Sequence, residues 1–173
     1  MYRSVAYSFK REPLTQTEAT DLANACLPGD ERLVVWTLLD TGLRVEELAE
    51  LTKDNLDWQM HRLIFKGKGD KRRTLDLPPR IRDLIEAHIS VHDCFHMGVR
   101  KIQRIVNRVA NRAKIRKKVS PHVLRHTFAI TALQKGISLA ALQKLMGHEN
   151  LQTTAIYLNL SPEEALREFR EKW

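Results

Sequence analysis

The sequence predicts a mainly helical domain that carries a small three-stranded antiparallel sheet. Helix-cap signatures recur before apolar stretches of helical period, and the period changes toward two only between residues 55 and 78. A chain of 173 residues is long enough for one well-cored domain, and no internal repeat or low-complexity segment demands a second.

Residues 1–13 carry no periodicity and read as an extended arm or linker ahead of a domain spanning 14–173. Thr15-Gln16-Thr17-Glu18 is a capping box, and Leu22, Ala25 and Cys26 give the helix behind it an apolar stripe. Pro28, Gly29 and Asp30 break that helix and restart another through Val34, Val35, Leu38 and Leu39, which Thr41-Gly42 closes. Arg44 then heads a short helix with Glu47 one turn on. The spacing lets the carboxylate orient the guanidinium for a phosphate, and it equally fits a plain surface ion pair.

Leu56 and Trp58, then Leu63, Ile64 and Phe65, then Thr74, Leu75 and Leu77 mark three short strands. The last two are joined by Lys66-Gly67-Lys68-Gly69-Asp70-Lys71, a hairpin turn whose glycines give Lys68 wider reach than a regular strand allows. Pro79 to about Val91 is a further helix. His88, His92 and His96 follow at four-residue intervals with Cys94 nearby, a spacing that suits a metal on one helix face. No acidic catalytic partner accompanies them and Gly98 soon interrupts, so no metal is assigned.

Residues 98–114 form a basic amphipathic helix, with Ile102, Ile105, Val106 and Val109 on one side and Arg100, Lys101, Arg104, Arg108 and Arg112 on others. A charged loop, 114–118, follows it. From Cys94 to His148 there are twelve Lys or Arg and no Asp or Glu, so with a net charge of +8 the remaining residues sum to −4 (8 − 12). Such one-sidedness points to a polyanionic partner along one face, beyond what solubility asks of a surface. Cys26 and Cys94, without a signal peptide, are expected as free thiols in a reducing cytosol, Cys26 as a packing residue. No apolar run approaches the ~20 residues of a membrane span, so a soluble, cytoplasmic protein is expected, nucleoid-associated if prokaryotic.

The stretch Ser120 to Tyr157 organises the rest. Ser120-Pro121 starts a helix that carries His122 and Arg125 three apart and stops at Gly136. Ser138 caps a second helix ending at Gly147, which leaves His148 just beyond a terminus, and Asn150 caps a third with Tyr157 about two turns in. Imidazole, guanidinium, imidazole and phenol arrive from separate directions, an arrangement suited to closing around a small anionic group.

His-x-x-Arg at His122 and Arg125, Leu-Met-Gly-His ending at His148, and a tyrosine nine residues later resemble the C-terminal signature of the tyrosine recombinases, the lambda-integrase-like site-specific DNA recombinases. Thr-Gly-Leu-Arg-Val-Glu-Glu-Leu around Arg44 and Glu47, and Gly-Lys-Gly around Lys68, match the family's upstream segments in order. The resemblance implies strand cleavage and rejoining on double-stranded DNA through a 3′-phosphotyrosine, for integration, excision or dimer resolution. It calls for no cofactor, metal or ATP. Tyr157 is the expected nucleophile, and of the other tyrosines Tyr2 and Tyr7 both fall in the arm. Arg44 and Arg125 are expected on the non-bridging oxygens with His148 as a further donor. His122 is expected in proton transfer, Lys68 as general acid and Glu47 as orienting group. Lys66, Lys71, Arg72, Arg100, Lys101, Arg104, Lys117 and Lys118 are expected on the DNA backbone, positioning without reading sequence.

Ser161-Pro162-Glu163-Glu164 caps a last helix, about 161–171, with Ala165, Leu166 and Phe169 on one face. The resemblance implies docking of this helix on a neighbouring protomer, and so self-association on paired DNA sites by a chain that is monomeric or weakly oligomeric when free. The family usually places a separate DNA-binding domain before this one, and no such domain is expected within these residues. Two other readings stay open: a type IB topoisomerase-like relaxing enzyme, and a non-catalytic DNA-binding regulator that retains the fold.

Overall fold

In the computed structural model, residues 12–66 and 72–147 are described. Thr15 caps α1 (Gln16–Asn24), its hydroxyl accepting from the Glu18 amide while the Glu18 carboxylate accepts from the Thr15 amide. α2 (Asp30–Thr41) ends at Gly42 in the left-handed region, and α3 (Val45–Ala49) begins directly after Arg44. Gly42 is obligatory on two counts, its φ of 61° and the close approach of Phe128, whose ring a Cβ at this position would overlap.

A short 3₁₀ turn, Lys53–Asn55, leads into an antiparallel sheet of order β1-β2-β3, built from β1 (Leu56–Asp57), β2 (Arg62–Lys66) and β3 (Arg72–Asp76). Register places Leu63 against both Leu56 and Leu75, so the inward-facing leucines stack on the core. The first strand is only two residues long, and Trp58 lies in the turn after it, 42% exposed. α4 (Pro79–His92) starts with proline in its first turn, and α5 (Val99–Arg112) follows after a bridge between Thr52 and Cys94. α6 (Pro121–Gln134) is capped by Ser120, and α7 (Leu139–Met146) is capped by Ser138 and closed by Gly147.

Most of the periodic apolar positions go inside, Trp58 being the exposed exception among the described residues. Ile102, Ile105, Val106 and Val109 of α5, Val34, Val35 and Leu38 of α2, and Leu124 of α6 share one core with Ile81, Ile85 and Ile89 of α4. α6 carries a second, smaller cluster, in which Ala129 and Ala132 meet Leu142 and Met146 of α7. Leu14 is tied on by its amide, which donates to Thr127 Oγ1 at 2.9 Å, while that hydroxyl donates to the Val123 carbonyl. The expected mainly helical fold with a three-stranded antiparallel sheet is therefore present.

Both cysteines are free. Cys26 is buried, its Sγ–H donating to the Leu22 carbonyl, and burial pushes its thiol up to about 11, which fits a packing role. The histidines at four-residue intervals do not share a helix, because Asp93 turns left-handed after His92 and ends α4. His88 Nε2 bonds the Phe95 carbonyl at 2.8 Å, and the His92 and His96 rings stack at 5.4 Å. No metal-holding group of His, Cys, Asp or Glu occurs among the described residues.

Candidate active site

The C-terminal end of α7 is where the chemistry-bearing residues gather. A helix ends with carbonyls that no following amide satisfies, and these carry the negative end of its dipole. Arginines from three separate elements turn toward them. Arg125 of α6, 6% exposed, donates through Nη2 to the Met146 carbonyl at 2.7 Å and through Nη1 to the Gly42 carbonyl. Arg73 of β3 donates through Nη1 to the same Met146 carbonyl at 3.0 Å. Arg44, at the head of α3, reaches the Gly147 carbonyl with Nη2 at 3.3 Å.

Among the described residues, one carboxylate, Glu47, sits beside Arg44 and Arg73. Glu47 Oε2 accepts from the Arg44 amide at 2.8 Å, which caps α3 and fixes the carboxylate relative to the backbone. Its Oε1 lies 3.0 Å from Arg44 Nη1 and 2.9 Å from Arg73 Nη1. Burial would raise the Glu47 pKa, but the hydrogen bonds from Arg73 and the Arg44 amide, with the two positive charges, bring it below the ordinary value of 4.5. Two guanidinium groups, those of Arg44 and Arg73, thus share the Glu47 carboxylate, and Arg125 joins them through the Met146 carbonyl that it shares with Arg73. The Arg44 side chain remains 42% exposed, open to an anion from solvent.

His122 projects from the exposed side of α6, and its Nε2 lies 2.6 Å from Nε2 of His126, rings edge to face. One nitrogen must donate and the other accept, so the pair shares a proton at this contact. Of the residues expected in the site, the structure brings Arg44, Glu47 and Arg125 together. Lys68, His148 and Tyr157 lie outside the described residues, as does Lys71, and so does the expected helix near 161–171.

Arg73 and His126 are not among the residues expected in the site, yet both carry a signal in the sequence. Strand parity puts Arg73 on the side of Leu75, which is buried, and an arginine on the inward face of a strand needs a partner there. His126 follows His122 by one helical turn.

The expected phosphate-binding cations divide. Lys66 and Arg72 are exposed and directly opposite each other at the base of the β2–β3 hairpin, a like-charge cross-strand pair that is unfavourable without an anion. Arg100, Arg104 and Lys118 are exposed. Lys101 meets Asp30 at 2.8 Å. Lys117 is engaged inside the fold, its Nζ 2.7 Å from Glu18 and donating to the Pro13 carbonyl at 2.6 Å.

The profile of the phage integrase family matches residues 12–164. The chain belongs to that family. It is 34% identical to tyrosine recombinase XerA of Thermococcus kodakarensis, over 92% of this chain and 61% of the relative. It is 30% identical to tyrosine recombinase XerC of Listeria innocua, over 91% and 58%. Among solved structures, a XerA recombinase superposes with a TM-score of 0.80 at 28% identity, over 95% of this chain and 64% of that one. The catalytic domain of bacteriophage HP1 integrase shares the fold, with a TM-score of 0.71 over 94% of this chain and 96% of that one, at 21% identity. The chain spans about 55–61% of the length of the first curated integrase-family relatives it matches.

Proposed function

We propose that this chain is the catalytic domain of a tyrosine site-specific recombinase that cleaves and rejoins double-stranded DNA. The observation that carries the reading is the arginine cluster at the end of α7, where Arg44 and Arg73 share the Glu47 carboxylate, Arg125 and Arg73 share the Met146 carbonyl, and Arg44 stays open to solvent. Transesterification at a phosphodiester needs charge stabilisation at the non-bridging oxygens, a nucleophile and protonation of the leaving 5′-oxygen. Arg44 and Arg125 supply fixed positive charge and forked donors, and His148, following Gly147 in sequence, adds a further donor.

Tyr157 is the nucleophile in this reading. A phenol with pKa about 10 costs roughly 4 kcal/mol to ionise at pH 7, so it gains from nearby cations and from a base, the part given to His122. Its oxygen forms the bond to phosphorus as the 5′-oxygen leaves, protonated by Lys68. The 3′-phosphotyrosine conserves the bond energy, so rejoining to another 5′-hydroxyl requires no ATP, and the convergent cations require no metal. Lys66, Arg72, Arg100, Arg104 and Lys118, exposed on the described surface, and Lys71 meet the DNA backbone. The helix near 161–171 docks on a neighbouring protomer, so that protomers associate on paired sites.

The test is incubation with a suicide duplex nicked next to the scissile phosphate. The wild-type chain should give a covalent protein–DNA adduct in the presence of EDTA, and Tyr157→Phe should bind the duplex and give none. Adduct from Tyr157→Phe at the wild-type level would remove Tyr157 from the mechanism. DNA binding without any wild-type adduct would favour a regulator that has kept the fold.

A further inference from the structure

Arg73 is an arginine placed where it cannot grip DNA. Its side chain is only 12% exposed, against 42% for Arg44. Its guanidinium lies 4.7 Å from the Phe65 ring centroid, a cation–π contact between neighbouring strands. One nitrogen, Nη1, touches both Glu47 Oε1 at 2.9 Å and the Met146 carbonyl at 3.0 Å, which joins the sheet, α3 and α7 through a single donor group. The fit is close: a Cβ on Gly147 would stand 2.5 Å from that Nη1 and 3.0 Å from Arg73 Cδ, so glycine is needed here for the guanidinium to pass as well as for its φ of 63°.

We propose that Arg73 is a positioning residue for strand cleavage, acting through Glu47 on Arg44 and through Met146 on the segment that leads into His148; this rests on the recombinase reading above. Two physical effects combine. Without Arg73, Glu47 would balance Arg44 one to one, and the pair would carry no net charge toward a phosphate. With it, the trio of two guanidiniums and one carboxylate carries +1 (2 − 1). Arg73 also shares the load on the Met146 carbonyl with Arg125, which fixes where α7 ends, two residues before His148. Catalytic donors must be held in place before the charge develops, and the residues that hold them govern rate more than affinity.

The experiment is single-turnover cleavage of the suicide duplex, run beside DNA affinity and thermal melting. Arg73→Ala should slow adduct formation by about 10², the scale of a small misplacement of reacting groups, while its affinity for the duplex stays within about two-fold of wild type. In a cycle with Glu47→Gln, the double variant should be no slower than the slower single one, because both substitutions break the same chain of contacts. Multiplicative losses would mean that Arg73 acts independently of Glu47 and would overturn the inference. Should Arg73→Ala melt below the assay temperature, Arg73→Lys and Arg73→Gln carry the test. Lysine keeps the charge and should cleave faster than glutamine at similar melting temperature, and equal rates for the two would assign Arg73 to stability alone. A wild-type chain that cleaves and an Arg73→Ala variant that cleaves equally fast would overturn this inference and leave the recombinase reading standing. A folded, DNA-binding wild-type chain that forms no adduct would remove both.

Discussion

Along α5 the cations meet carboxylates, whereas at the C-terminal end of α7 they meet backbone carbonyls. Lys101 pairs with Asp30, Arg108 lies 3.8 Å from Glu31, and Arg112 forks onto both oxygens of Glu31. These contacts fasten α5 to the start of α2, where Asp30 cancels the charge of Lys101 and Glu31 that of Arg112, the nearer of its two arginines. At α7 the Met146 and Gly147 carbonyls orient Arg44, Arg73 and Arg125, and Glu47 offsets one of the two charges, Arg44 and Arg73, that share it. Counting basic residues therefore misjudges both regions, since it overstates the free charge on α5 and says nothing of how charge is concentrated at α7. The cluster is suited to stabilising a reacting phosphate, and the exposed remainder of α5, Arg100 and Arg104, to holding the backbone of a duplex.

The comparison breaks most visibly in the cleavage rate. Arg44→Ala should slow single-turnover cleavage by about 10²–10³, the usual cost of one electrostatic donor at a developing charge. Lys68→Ala should slow it by about 10²–10⁴, as loss of a positioned general acid does. The two differ on a substrate whose bridging 5′-oxygen is replaced by sulfur. A thiolate with pKa of about 8.5 leaves without a proton, so Lys68→Ala should recover nearly the wild-type rate there while Arg44→Ala stays slow. If sulfur rescues neither, Lys68 is a phosphate or groove contact and His122 becomes the next candidate for the acid.

The helices, their caps and the sheet were legible in the sequence because cap residues and apolar periods are local signals. Thr15, Ser120 and Ser138 cap where expected, and Gly42 and Gly147 close helices in the left-handed region. The ion pairs were legible only where both partners lie within a turn, as with Arg44 and Glu47. Lys117 looked like a DNA contact because its partners, Glu12 and Glu18, lie about a hundred residues away along the chain. Arg112 likewise finds Glu31 across 81 positions. The same blindness hid Arg73, whose two partners come from α3 and α7. Strand parity signals that Arg73 needs a partner, but which residues supply it is a property of the packed fold.

A smaller effect separates the regions by acid. Glu31, buried, is held below the ordinary carboxylate value of 4.5 chiefly by its hydrogen bond from Arg112, against the upward push of burial. Glu47 is lowered as well, where burial is the largest influence and is outweighed by Arg73 and the Arg44 amide. A carboxylate lowered by folding stabilises the native state fully above its unfolded value and loses that contribution as pH falls through the native one. Melting temperature should therefore drop as pH falls from about 5 to 3, and Glu31→Gln should be less stable at pH 7 with a shallower drop. A drop of unchanged slope in Glu31→Gln would mean that α5 is anchored by its apolar face alone, with the pairs contributing nothing measurable.

The smallest effect lies in the salt dependence of binding, and it tests whether α5 is divided as described. Each phosphate contact releases condensed counterions, so losing one cation from the interface should lower the slope of log K against log salt by about 0.9. Arg104 is exposed and has no carboxylate partner among the described residues, whereas Lys101 already sits 2.8 Å from Asp30. Arg104→Ala should thus weaken binding uniformly across DNA sequences and flatten the slope by about one contact, with cleavage of bound DNA unchanged. Lys101→Ala should flatten it by less, because that ammonium is already compensated within the protein. Asp30→Asn should move the other way, freeing Lys101 and steepening the slope. Equal slope changes for Arg104→Ala and Lys101→Ala, with none for Asp30→Asn, would show that the Asp30 pair opens at no cost when DNA arrives, and that α5 presents its cations as one undivided ridge.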